Sequence, residues 1–208
     1  MTVLELDHVF CMVADPAPAA RQLEDDGWVL DAGQAHRGQG TRNRRLPWRG
    51  VFFELLWVSD VAEARANPLR LDRRADWTVT GASPIGLGFR GLIDAAARRE
   101  FWLYDALGPR IWVHRDNERS PERPLVFVLE ASAEVIRQRR RSAEATQVVA
   151  HRRRGELNEV HVRGPSAPFL PPYAGPPIVY AQGLPLLELV VGDAGSVRAI
   201  SDGLVIRS

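Results

Sequence analysis

The chain has one cysteine, Cys11, and no lysine among its 27 basic residues. A single cysteine excludes an internal disulfide and suits a reducing cytoplasm. The plainest reading of Cys11 itself is a small buried hydrophobe on the first strand. The absence of lysine rules out a P-loop, because the glycines of HRGQGTRN have no P-loop lysine to work with. An all-arginine composition reflects a GC-rich genome rather than a function. No run of about 18 apolar residues occurs, so no spanning helix is expected. Charge of one sign is also missing: 27 basic against 26 acidic residues leave +1, with no pull toward nucleic acid or a membrane. The start, MTVLELDHVF, lacks a basic n-region and does not read as a secretory signal.

What is present is an apolar fraction of 45% in 208 residues, enough for one domain or two small modules sharing a core. Val3 to Val13 reads as a strand. Asp15-Pro16 supplies an N-cap and a first-turn proline for a short helix to Asp26, which Gly27 ends. Trp28 to Leu30 is expected to be extended. A polar, glycine-broken stretch follows, and VFFELLWV (51–58) is a second apolar strand. Residues 61–83 read as a connection. Ile85 to Gly91 is a further strand candidate. The spacing of Leu92, Ala96, Phe101 or Arg99, and Leu103 predicts a helix to Leu107, and strands are expected at 111–114 and 125–130. A polar helix over 132–147 carries the arginine run 137–141, whose plain reading is a solvated face. Strands at 157–163, 178–182 and 186–191 follow, with an edge strand at 204–206. The mixture reads as α+β.

Glu54 is the most informative residue. It stands alone in VFFELLWV, where both faces of the strand are apolar. A carboxylate there costs several kcal/mol, about 3 or more, unless it is paired, protonated or bound to a metal. His8 lies in the otherwise apolar row Leu4, Leu6, Phe10, Met12, with Glu5 and Asp7 expected on the other face. A histidine and a glutamate on two strands of one sheet can give a divalent metal a nitrogen and an oxygen, or can simply hydrogen-bond. Glu188, in LPLLELVV, is a second lone carboxylate among apolar residues. Glu130, ending LVFVLE, is another possible partner for Glu54. Neither a nucleophile elbow nor a serine beside a histidine is seen. His114 and His151 read as solvent-facing.

LDHVFCMVADPAPAARQLEDDGW followed by GTRNRRLPWRGVFFELLWVSD resembles the first module of glyoxalase-like proteins in the vicinal oxygen chelate superfamily. The resemblance covers residues 3–60. It implies paired βαβββ modules forming an open, cupped mixed sheet around a cavity. On that basis 1–208 is one glyoxalase-like domain, 1–62 its first module, and 84–193 a degenerate second module with a C-terminal extension. It implies a small-molecule enzyme of lyase, isomerase or dioxygenase type, or else a metal-free binding or drug-sequestering protein. A divalent metal (Zn, Ni, Fe or Mn) would be held by His8, Glu54 and Glu188, with Glu54 also the catalytic residue. Thr41 and Asn43 would bind substrate at the cavity mouth. A homodimer is the family expectation. LNEVHVRG is similar to LELDHVFC, which sets His161 beside His8. Only 27 positions separate His161 from Glu188, however, against 46 from His8 to Glu54, too few for an intervening helix.

Overall fold

In the computed structural model, the described residues are 4–105, 110–132, 134–138 and 155–208. Strands β1 (Leu4–Met12), β2 (Gln34–His36), β3 (Thr41–Pro47) and β4 (Phe52–Val58) form the first half of a large sheet. Its second half is β5 (Ile85–Gly91), β6 (Phe101–Tyr104), β7 (Ile111–His114) and β8 (Leu125–Glu130). The strand order is β2-β3-β4-β1-β5-β8-β7-β6, with β1 and β5 antiparallel at the centre and each parallel to the last strand of its own half. The mixed α+β class and the open, curled half-barrel are as the sequence led one to expect.

Helix α1 (Pro16–Asp25) follows its sequence signals: Asp15 accepts from the Ala17 N–H at 2.9 Å, Pro16 opens the helix, and Gly27 leaves it at φ 78. Ala19, Ala20 and Leu23 face the core. The second half has no counterpart. The helix expected over 92–107 is replaced by a 3₁₀ turn, Ala97–Glu100, and by β6. Phe-Trp-Leu-Tyr is an aromatic run that favours a pleated surface, and pairing with β7 overrides the helical spacing. Trp28 to Leu30 is not a strand either; the short β2 forms further on. Of the polar helix expected over 132–147, residues 134–138 are helical and 139–147 lie outside the described residues.

Residues 155–208 build a second sheet. Strand β10 (Tyr173–Ala174) joins the first sheet beside β1. Strands β9 (Leu157–Gly164), β11 (Ile178–Gln182), β12 (Leu186–Val191), β13 (Val197–Ser201) and β14 (Leu204–Arg207) are ordered β11-β9-β12-β14-β13. The expected edge strand at 204–206 is therefore inner, and β13 is the edge. This sheet repeats the centre of the first on a smaller scale: β9 and β12 run antiparallel, each flanked by a parallel partner. One core joins the two sheets, with Val9, Cys11, Phe53, Leu55, Leu87 and Phe89 from the first and Val160, Val162, Leu187, Leu189 and Leu204 from the second. Cys11 is fully buried there, and burial pushes its thiol up to about 12.

The other face of the large sheet is lined by Phe10, Met12, Leu56, Val113, Leu125 and Phe127. The connection 61–83 contains α2 (Val61–Ala66), α3 (Leu71–Ala75) and α4 (Trp77–Thr80), and its Leu69 and Leu71 pack onto this face. Asn67 donates both to Gly38 O, in the β2–β3 turn, and to Tyr104 OH of β6 at 2.7 Å. One side chain thus touches both edges of the sheet, so the sheet curls around this segment and the segment fills one end of the half-barrel. Arg74 anchors it. Its guanidinium, 2% exposed, donates to Ser83 O, Arg123 O and Asn117 Oδ1 at 2.7 to 3.0 Å.

Candidate functional site

His8 and Glu54 both lie on the inner face of the half-barrel. Parallel register sets His8 beside Phe52 and Phe10 beside Glu54. His8 Nε2 faces Glu54 Oε2 at 3.9 Å, and the residues are only 7% and 8% exposed. The imidazole is stacked on Phe52, with centroids 4.7 Å apart, and meets the edge of Phe127 at 5.2 Å.

Asp7 departs from the expected alternation. Leu6 and His8 pair with the consecutive residues Phe89 and Gly88, so Asp7 is the extra residue of a bulge. A bulge reverses the parity of a strand. Leu4 and Leu6 before it, and Val9 and Cys11 after it, all enter the core between the sheets. Asp7 and His8 are left on the same face, and His8 Nδ1 hydrogen-bonds Asp7 Oδ2 at 2.8 Å. Asp7, 2% exposed, also pairs with Arg90.

Glu54 is held from the other side. Asn43 Nδ2 donates to Glu54 Oε1 at 2.7 Å, while Asn43 Oδ1 accepts from the Gln34 N–H at 2.9 Å. Thr41 Oγ1 lies 3.1 Å from His36 Nδ1. Thr41 and Asn43 are each 1% exposed. Asn43 is placed to orient Glu54. His36, on β2, feels Glu54, His8 and Arg45, and burial is the main cause holding its imidazole below the usual range.

The expected third ligand is elsewhere. Glu188 is on β12, and its neighbours Leu187 and Leu189 enter the core between the sheets, so Glu188 faces away from it. There it meets His161 Nδ1 at 3.5 Å and Arg207 Nε at 2.8 Å. The similarity of LNEVHVRG to LELDHVFC is real in strand position, but His161 and Glu188 form a separate, half-exposed cluster. Glu130 also turns away, accepting from Trp112 Nε1 at 2.6 Å and from Arg110.

Opposite His8 and Glu54, the second half of the sheet offers Gly86 and Gly88 from β5 and Leu125 and Phe127 from β8. A Cβ at Gly88 would lie 2.7 Å from Phe127 Cζ and 2.9 Å from His8 Cε1, and one at Gly86 would lie 2.0 Å from Phe10. The space where a ligating side chain would stand is filled by rings. Among the described residues no three of His, Cys, Asp and Glu are placed to hold a metal ion. The donors here do not fit a divalent metal: two ligands face apolar surface, and a structural or catalytic site needs three or four.

The open, curled half-barrel is consistent with the glyoxalase fold. Residues 6–101 match the family described as a glyoxalase-like domain. The match runs from β1 to the start of β6, well past the residues that carried the sequence resemblance. A hypothetical protein from Staphylococcus aureus shares the fold end to end, at TM-score 0.60 and 11% identity over 99% of this chain and 98% of that one. Methylmalonyl-CoA epimerase from Mycobacterium tuberculosis is similar at TM-score 0.43 and 21% identity, over 64% of this chain and 93% of that one. A hypothetical protein from Bacillus halodurans gives 0.44 and 13%, over 62% and 96%. No curated protein matches the sequence. Among the described residues no helix is long and apolar enough to cross a membrane.

Proposed function

We propose that this protein is a small-molecule enzyme whose chemistry is proton transfer between Glu54, His8 and a compound bound on the inner face of the half-barrel. The observation that carries this reading is the Asp7–His8–Glu54 line. A carboxylate fixes one ring nitrogen at 2.8 Å, and the other faces a second carboxylate across 3.9 Å, almost fully out of water. A histidine oriented in this way is a competent acid or base. The 3.9 Å gap is wide for a direct hydrogen bond, so the two groups can both address a third.

The matching reaction removes a proton from carbon beside a carbonyl. Glu54 takes the proton, and His8, having taken up a proton at the Nε2 that its bond to Asp7 leaves free, hydrogen-bonds the oxygen on which the enolate charge develops. Returning the proton to either face of the carbon gives an isomerase; expelling a neighbouring leaving group gives a lyase. Phe52, Phe10 and Phe127 keep the surroundings apolar, which strengthens both interactions. The reading places the protein in the cytoplasm, in keeping with its lone buried thiol, and a homodimer stays part of the proposal.

A binding role without chemistry is the second reading, favoured by the glycine and phenylalanine surface opposite His8. Deuterium wash-in separates the two. The protein is incubated in D₂O with a panel of small 2-oxo acids, α-hydroxyketones and branched carboxylic thioesters, and C–D formation is followed by NMR. Exchange that is lost in His8→Gln and Glu54→Gln supports the enzyme. A compound that binds the inner face without exchanging its α-proton supports the binding role instead.

A further inference from the structure

Arg90 stands near the end of β5, two residues beyond Gly88 and on the same face of the sheet. It is 7% exposed, so its charge needs a partner. That partner is Asp7, the bulge residue. Without the bulge, Asp7 and His8 would face opposite sides of the sheet. With it, the Asp7 carboxylate lies between the Arg90 guanidinium and the His8 imidazole and serves both.

A line of side chains follows from one strand to the next. Arg90 on β5 pairs with Asp7 on β1; Asp7 accepts from His8 Nδ1; His8 Nε2 faces Glu54 on β4; and Glu54 accepts from Asn43 on β3. An aspartate hydrogen-bonded to one imidazole nitrogen decides which nitrogen carries the hydrogen. It does so only while its own carboxylate is held in place, and Arg90 is a group that holds it.

We propose that Arg90 is a positioning residue of this site: by fixing the Asp7 carboxylate it keeps His8 in the Nδ1–H form, with Nε2 presented toward Glu54 and the bound compound. Its importance for chemistry rests on the proton-transfer reading; the positioning itself does not.

The second sheet supplies an internal comparison. Arg207, Glu188, His161 and Glu159 repeat the order of arginine, carboxylate, imidazole and carboxylate. There the short contact is at Nε2, which lies 2.6 Å from Glu159, and Nδ1 is 3.5 Å from Glu188. His161 is therefore set as the Nε2–H form, opposite to His8. It is also about a third exposed, where such pairs are weak.

The test uses the full chain with ¹⁵N-labelled histidine and long-range ¹H–¹⁵N correlation spectra, at one pH where both imidazoles are neutral. Wild type should show His8 as Nδ1–H and His161 as Nε2–H in the same spectrum. In Arg90→Met, His8 should lose its single form and gain Nε2–H, with His161 unchanged. Arg90→Lys, which keeps the charge, should retain Nδ1–H. If Arg90→Met does not fold, Arg90→Gln gives the same readout. Overturning results are a wild-type His8 in the Nε2–H form, or an Arg90→Met protein of lowered Tm whose His8 remains Nδ1–H. If the tautomers behave as expected but deuterium wash-in is absent, the proton-transfer reading fails and the positioning role stands.

Discussion

Gly88→Ala tests why the second half of the sheet gives no ligand. The added methyl carbon would stand 2.7 Å from Phe127 Cζ and 2.9 Å from His8 Cε1. Carbon atoms in a packed interior rest at roughly 3.5–4.0 Å, so each ring must retreat by about 0.6–1.3 Å. Neither is free to do so cheaply. His8 is stacked on Phe52 and tied to Asp7, and Phe127 is wedged between His8 and Phe10. Overpacking of this kind costs about 1–3 kcal/mol. At roughly 2–4 °C per kcal/mol for a chain of this size, Tm should fall by about 2–12 °C. Thermal unfolding reports the loss, and the His8 and Phe127 ring signals should move in NMR spectra while those of His161 do not. An unchanged Tm together with unmoved ring signals would refute the claim that these rings occupy the ligand position.

Arg74→Met should destabilise the protein by about 3–5 kcal/mol in urea unfolding, because it leaves three buried oxygens without their donor; a loss under 1 kcal/mol would show that the insert does not depend on this anchor. Acid should also destabilise the fold. Burial holds His36 and His114 below the usual histidine range, so in the unfolded chain they take up protons first; stability from these groups is full above about pH 6.5 and is lost as pH falls below it. In His114→Phe, which keeps the stacking on Phe169 at 4.3 Å, the fall of Tm with acid should be shallower than in wild type; an identical slope would contradict this assignment.

The first half of the sheet was legible because its signals are local: a proline-opened, glycine-closed helix and two apolar strands, one with a lone carboxylate. Glu54 and His8 stood out because each breaks an apolar pattern; for His8 only the Phe10 and Met12 half of that pattern survives folding, since the bulge turns Leu4 and Leu6 to the other face. Asp7 was assigned to the wrong face because a bulge depends on how β1 pairs with β5, and pairing leaves no mark on β1 alone. Arg90 was missed for the same reason. Asn43 was legible as part of GTRN, but its hydrogen bond to Glu54 was not, because it depends on the register of β3 against β4. The absent second helix was unreadable because Phe101 to Tyr104 has both helical spacing and strand-forming side chains, and tertiary pairing decides between them. Glu188 looked like a twin of Glu54 because a buried-looking strand is alike in either sheet; only topology separates them.

Metal content tests the central claim most directly, that the inner face holds an acid–base pair and not a metal centre. Wild type, His8→Ala and Glu54→Gln are each loaded with Zn, Ni, Fe or Mn, desalted and assayed by elemental analysis. The account predicts no stoichiometric ion in wild type and no difference among the three proteins. One tightly held ion per chain in wild type, lost in both variants, would contradict it.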